Sequence, residues 1–214
     1  MNWLEENMNS IILGDSYELI KKIPDNNIDC IYTDIPYLID NHGYGTSQLG
    51  DRMKNKSIEL SKIDKGIDMS ILNEFVRVMK KINCFIWCSK LQILEILNFF
   101  DKLGCRFEIL TWCKTNPSPT VNNVWLPDIE YCLYIREKGV PLNDGYSLKS
   151  KFYISPINKD DKELYKHPTI KPFDLVKRHL LHATRQNDIV FDPFSGSGTT
   201  CVVCKEINRN YLGI

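Results

Sequence analysis

The chain has 214 residues, 43% of them hydrophobic, enough for one domain with a sizeable buried core. Lysine plus arginine and aspartate plus glutamate number 27 each, so net charge is zero and charge alone does not announce a nucleic-acid partner. No apolar run approaches the ~20 residues that cross a bilayer, and the opening "MNWLEENMNS" has neither the basic flank nor the apolar stretch of a signal peptide; the expectation is a cytoplasmic protein with no membrane contact.

In chain order, short apolar runs alternate with helical patterns. "SIIL" reads as a strand, "SYELIKKI" as a helix and "IDCIYTD" as a strand, followed by a loop over 38–67. "MSILNEFVRVMKKI" is a helix whose Leu72, Phe75, Val76 and Met79 recur at core-facing spacing. "CFIWC", "LQILEILNFFDKL" and "CRFEILTWCK" continue as strand, helix and strand. After the proline-rich "TNPSPTVNNVWLPD", "IEYCLYIR" reads as a strand that returns antiparallel to its predecessor. Residues 136–166 lack periodicity and hold Gly139, Pro141, Gly145 and Pro156, so they read as an irregular insertion. Pro172 opens the helix "PFDLVKRHLLHA", "DIVFD" is a buried strand, and "TTCVVCKEI" and "NYLGI" close the chain as helix and strand. The pattern is α/β, in a single domain over 1–214.

The eight cysteines, at 30, 84, 88, 105, 113, 132, 201 and 204, sit mostly inside apolar runs and read as small buried hydrophobes in a reducing compartment. Neither close pair, Cys84/Cys88 or Cys201/Cys204, has the second pair or histidines that a zinc site requires, and His167 has no companion ligands, so no metal is expected. Positive charge is uneven: Arg52, Lys54, Lys56, Lys62 and Lys65 crowd one stretch, and Lys149, Lys151, Lys162, Lys166 and Lys171 another. Each cluster alone reads as a solvated loop.

Two stretches carry chemistry. In "FDPFSGSGTT" a strand feeds Gly196 and Gly198 and then a helix start, where the backbone can approach a ligand with no Cβ in the way and the helix offers unpaired N–H groups. Strand, turn, helix and "NYLGI" form a βαβ unit, and nucleoside cofactors bind outside the carboxyl ends of such strands. The ribose-binding acid expected about 20 positions after the glycines would fall just past Ile214. With the backbone at Gly196 taken not to be at positive φ, valine there is expected to block a ligand while sparing the fold. In "CIYTDIPYL" a strand delivers Asp34 into a turn stiffened by Pro36 and followed by Tyr37, whose flat face can stack a base for about 1–3 kcal/mol. Read alone, this stretch is better taken as a plain turn in which proline limits the backbone and tyrosine packs.

Together the motifs resemble the β-class DNA amino-methyltransferases, which methylate exocyclic amino groups of adenine or cytosine with S-adenosylmethionine. "LGDSYELIKKIPDNNIDCIYTDIPY" is similar to the family's opening and its D-P-P-Y, "LTWCKTNPSP" with "EYCLYI" to a middle segment, and "HPTIKPFDLVKRHLLHA" to the helix before "DPFSGSGTT". The resemblance implies a Rossmann-like, doubly wound, mostly parallel sheet with an antiparallel strand, circularly reordered so that the catalytic segment precedes the cofactor segment. It implies that Asp34 and the Ile35 carbonyl accept hydrogen bonds from the target amine, with Pro36 shaping the turn and Tyr37 stacking on the flipped base. Asp192, Phe194, Gly196 and Gly198 would surround the cofactor's methionine part, Thr199 and Thr200 begin the helix, Asp15 lie near the nucleoside and Lys171 near the carboxylate. Double-stranded DNA is the implied partner, a homodimer is compatible, and 38–67 with 136–166 would share target recognition. Adenine N6 is preferred to cytosine N4 because the family's cytosine members more often carry serine where this chain has Asp34. Ile35 replaces the family's first proline, which implies a looser loop; together with the missing ribose-binding acid it leaves a second reading, a non-catalytic relative serving as a DNA-binding or partner subunit.

Overall fold

A computed structural model describes residues 2–38, 66–117, 119, 125–157 and 170–214. Eight strands form one sheet: β1 (Ser10–Ile11), β2 (Cys30–Asp34), β3 (Asn83–Cys88), β4 (Arg106–Lys114), β5 (Ile129–Arg136), β6 (Phe152–Ser155), β7 (Ile189–Asp192) and β8 (Asn210–Gly213). Their spatial order is β1-β8-β7-β2-β3-β5-β4-β6. Only β5 runs against its neighbours, pairing antiparallel with both β3 and β4. The helices are α1 (Trp3–Glu6), α2 (Ser16–Leu19), α3 (Ile71–Val78), α4 (Ile93–Asp101), α5 (Phe173–Ala183) and α6 (Thr199–Glu206). The α/β pattern read from the sequence, and the doubly wound, mostly parallel sheet implied by the resemblance, are present. Among the described residues no helix is long and apolar enough to cross a membrane.

Both faces of the sheet are covered, which is why β2 and β3 read as continuous apolar runs rather than alternating ones. Ile31, Ile35 and Ile86 pack with Phe75 of α3 and Phe100 of α4. Tyr32, Phe85 and Trp87 point the other way, against Leu175 and Leu180 of α5 and Val203 of α6. All eight cysteines are free thiols, and seven of them are buried.

Two sequence expectations need correction. The helix over 69–82 is shorter: Met79 turns to extended backbone and bridges Ile28, and Lys80 N–H donates to the Ile28 carbonyl (2.8 Å), so sheet pairing captures the segment. The insertion is not wholly irregular, because Phe152–Ser155 forms the edge strand β6, parallel to β4, with a single 3-10 turn at Tyr146–Lys149 before it. Four residues are too few for their alternation to stand out from a loop. Residues 158–166 of that insertion, and 39–65 with the first basic cluster, lie outside the described residues.

The crossover from β2 to β3 passes over one face through α3, and that from β7 to β8 over the other through α6, while β2 and β7 are neighbours. Their carboxyl ends therefore diverge at the topological switch point where open α/β sheets bind ligands. Phe75, fully buried on α3, anchors the first face. Phe75→Ala is expected to destabilise the fold by about 3–5 kcal/mol, read from urea denaturation followed by circular dichroism.

Candidate active site

A cavity of about 450 Å³ opens at this switch point, with the Asp34–Tyr37 turn on one wall and the Asp192–Thr200 turn on the other. The two stretches singled out in the sequence, about 160 residues apart, thus form one site because β2 and β7 pair in register at Cys30–Val190 and Ile31–Phe191.

The glycine wall turns through Gly196 (φ +50°) and Gly198 (φ +75°), the latter capping α6. A Cβ on Gly198 would come within 3.1 Å of Ile11 Cδ1. Because Gly196 is at positive φ, a valine there is strained irrespective of any ligand, contrary to the sequence expectation. The wall is tied to β8 by Ser195 N–H to the Ile214 carbonyl (2.9 Å) and Ile214 N–H to the Asp192 carbonyl (3.0 Å). Asp192 is 3% exposed, and its Oδ1 accepts the Phe194 N–H at 3.2 Å. Burial pushes its carboxyl up to about 6, opposed by the Thr200 hydroxyl and the Phe194 N–H. Phe194 meets Tyr17 edge-on at 6.4 Å, and Thr199 Oγ1 lies 3.0 Å from Ser197 Oγ. Asp15 is exposed at the entrance, where its carboxylate caps α2 by accepting Tyr17 N–H (2.8 Å); its neighbours Gly14 and Ser16 line the cavity.

The other wall is held by core packing and hydrogen bonds. The Ile35 side chain is 1% exposed and packs into the core; its N–H donates to the Trp87 carbonyl (3.2 Å), and the Pro36 carbonyl accepts from Gln92 Nε2 (3.0 Å). The looser loop expected from Ile35 is therefore not found: isoleucine replaces proline's backbone restriction with buried packing. No donor among the described residues engages the Ile35 carbonyl.

Asp34 Oδ2 is held by Lys171, while Asp34 Oδ1 is buried with no partner among the described residues. Lys171 is no solvated residue ahead of a helix: it is 7% exposed, ion-paired to Asp34 and to Glu130 Oε2 (3.0 Å), and lies 5.0 Å above the Trp87 ring and 5.6 Å from that of Tyr37. Glu130 Oε1 reaches Lys114 at 2.5 Å, completing an alternating chain Asp34, Lys171, Glu130, Lys114. The Tyr37 hydroxyl is 3.3 Å from Lys171 Nζ and 3.4 Å from Glu130 Oε2.

Burial would lower the Lys171 ammonium, but Asp34 and Glu130 reverse this and hold it above its ordinary range. Burial raises Glu130, and the two lysines overcome it, leaving the carboxyl at about 2. For Asp34, burial raises the carboxyl, Lys171 opposes and Glu130 adds to the rise, with a net upward shift.

The sequence reading missed Glu130 and Lys114. Their signal was a charge two residues from a core position on the same strand face, Glu130 beside Cys132 on β5 and Lys114 beyond Trp112 on β4. Among the described residues no cluster of three or more potential ligands could hold a metal.

Residues 28–214 match the family model described as DNA methylase, of the N6 and N4 type, and the chain belongs to that family. It is 31% identical to the type II methyltransferase M2.LlaDCHI of Lactococcus lactis subsp. cremoris over 98% of this chain and 85% of that one. It is equally 31% identical to M2.DpnII of Streptococcus pneumoniae, over 97% and 85%. The crystal structure of M1.HpyAVI with S-adenosylmethionine superposes with a TM-score of 0.69 at 26% identity, covering 95% of this chain and 92% of that one. The protein is a DNA methyltransferase whose methyl donor is S-adenosylmethionine.

Glu130→Gln removes the like charge beside Asp34 and leaves Lys171 to Asp34 alone, so the acid limb of the turnover profile should move to lower pH. Lys171→Met removes the main interaction favouring ionised Asp34, so that limb should move to higher pH. Profiles of methyl transfer against pH for the three proteins check both signs. The folding contribution of Glu130 is present in full above its ordinary 4.5 and is lost as pH falls through about 2.

Proposed function

We propose that the chain methylates adenine N6 in double-stranded DNA, with Asp34 and the Ile35 carbonyl as the two acceptors for the target amine. The observation that carries this reading is Asp34 Oδ1, a buried carboxylate oxygen with no partner among the described residues, in the same cavity as the glycine turn. Bound S-adenosylmethionine supplies an electrophilic methyl group on a sulfonium that is already activated.

An adenine amine is a weak nucleophile because its lone pair delocalises into the ring. Two acceptors, Asp34 Oδ1 and the Ile35 carbonyl, orient both N–H bonds so that nitrogen electron density faces the methyl carbon. The proton that the amine gives up on methylation would pass to Asp34 Oδ1, the acceptor held against it. The upward shift of this carboxyl suits it to that acceptance. Lys171 on Oδ2 keeps the carboxylate in one rotamer, and the Tyr37 ring offers a stacking face that offsets part of the few kcal/mol of base flipping. Preference for adenine rests on Asp34 standing where serine is more common in the cytosine-N4 enzymes.

The non-catalytic reading, motivated by Ile35 together with the ribose-binding acid not found after the glycine turn, is not favoured: the chain belongs to the DNA methylase family, and Ile35 is accommodated in the core with its carbonyl still available.

Incubation with cofactor labelled in the methyl group and mixed-sequence DNA, followed by digestion to nucleosides, should give label in N6-methyladenine. Asp34→Ala should lower turnover by ~100-fold or more, from loss of a positioned proton acceptor, with DNA binding retained. Label confined to 5-methylcytosine or to protein side chains would overturn the assignment, whereas label in N4-methylcytosine would overturn only the choice of base.

Asp192 is the group proposed to receive the ammonium of the cofactor's methionine part. Its carboxyl at about 6 must ionise to do so, so cofactor affinity by calorimetry should rise as pH increases through about 6, with proton uptake by buffer. Asp192→Asn should flatten that dependence.

A further inference from the structure

A second cavity, also about 450 Å³, lies on the α5 face of the sheet beside β4 and β5, at the opposite end of the strands from the active site. Its size falls within the range of small-molecule sites, roughly 300–1,000 Å³. Three features of its walls point to one kind of occupant.

The floor is aromatic. Phe85 is sandwiched between Tyr134 (4.3 Å between centroids, 20° between planes) and His179 (5.1 Å, 6°), and all three line the cavity. Such a ladder favours a flat ring laid against it.

Beside it is a donor with nothing to donate to. His179 is 3% exposed, and its Nε2 is buried with no partner among the described residues. Its tautomer follows from the hydrogen bonds behind it. Trp87 Nε1–H donates to the Tyr32 oxygen (3.0 Å), and the only acceptor for the Tyr32 hydroxyl proton among the described residues is His179 Nδ1 (3.2 Å). The imidazole is neutral, burial lowering it to about 3, so its one proton sits on Nε2.

The mouth is cationic. Arg106 and Arg136 are direct cross-strand partners on β4 and β5, an arrangement of like charges that destabilises a sheet unless an anion intervenes. Neither makes an ion pair among the described residues, whereas the nearby Lys149 and Lys151 are paired to Asp144 and Glu108.

We infer that this cavity is a second small-molecule site, for an aromatic anion whose ring stacks on the Phe85 ladder, whose ring acceptor or carbonyl takes the His179 Nε2 proton, and whose charge lies between Arg106 and Arg136. The charge can be a phosphate or a carboxylate. The site is separate from the cofactor cleft and is joined to it by the Trp87–Tyr32–His179 hydrogen bonds, since Trp87 and Tyr32 line the cleft.

The test is calorimetry on the full chain with the cofactor cleft saturated by S-adenosylhomocysteine, using thymidine 5′-monophosphate as the phosphate probe and 2-naphthoate as the carboxylate probe. One of the two should bind saturably with a Kd below about 1 mM, a value in reach of a ligand of this size; which one identifies the anion. Arg106→Glu, at an exposed position, should weaken it at least tenfold without lowering the melting temperature, since it also removes the like charge opposite Arg136, and His179→Phe, which keeps the stacked ring and removes the donor, should weaken it by a similar factor. Should His179→Phe fail to fold, Arg136→Gln serves in its place. Absence of saturable binding by either probe, or binding that Arg106→Glu leaves unchanged, overturns the site.

Discussion

Lys171 lies buried between two carboxylates, and the Asp34–Tyr37 wall of the cleft depends on it. An ammonium removed from water loses several kcal/mol of hydration, which only good geometry with full pairing recovers. Here Asp34 and Glu130 both bind it, the Trp87 and Tyr37 rings lie under and beside it, and Lys114 balances the second oxygen of Glu130. The chain of alternating charge joins the end of β2, the start of β5, the end of β4 and the segment before α5. Four parts of the sequence thus hold the Asp34 carboxylate by one oxygen, and its other oxygen is left without a partner among the described residues.

The sheet supplies the other half of the site. Asp34 and Asp192 end neighbouring parallel strands, so their following turns open on the same side of the sheet, and the crossovers leave in opposite directions. The gap between the turns follows from this arrangement of strands and crossovers. It also explains why the order of the segments along the chain is immaterial to the chemistry: β7 inserts beside β2 whether its sequence comes first or last, provided the register places both carboxyl ends together.

Behind the cleft the second core cluster is unusually polar for its depth. Tyr32, Trp87 and His179 form a hydrogen-bonded line through it, and Asn83 donates to the carbonyls of Asp29 and Ala183 (3.0 Å each) while accepting from Tyr134 (3.2 Å). Because such groups are costly to leave unpaired, they restrict how α5 and the sheet can be packed against each other. The fixed position of α5 in turn fixes Lys171, which immediately precedes it.

What the sequence alone determined was whatever depends on neighbours along the chain. Alternating apolar runs and helical periodicities define the α/β layering, and the strand–glycine–helix pattern and the Asp34–Tyr37 turn announce themselves because backbone freedom at glycine and restriction at proline are local properties. Tertiary structure decided what depends on neighbours across the sheet. Glu130 and Lys114 looked like ordinary strand residues until antiparallel pairing of β4 and β5 brought them beside Lys171; the shortness of α3 followed from the bridge between Met79 and Ile28; and β6 existed only because β4 offered an edge to pair with. The φ of Gly196 and the burial of Ile35 were likewise settled by packing, since the same residue types adopt other conformations wherever the surrounding chain permits.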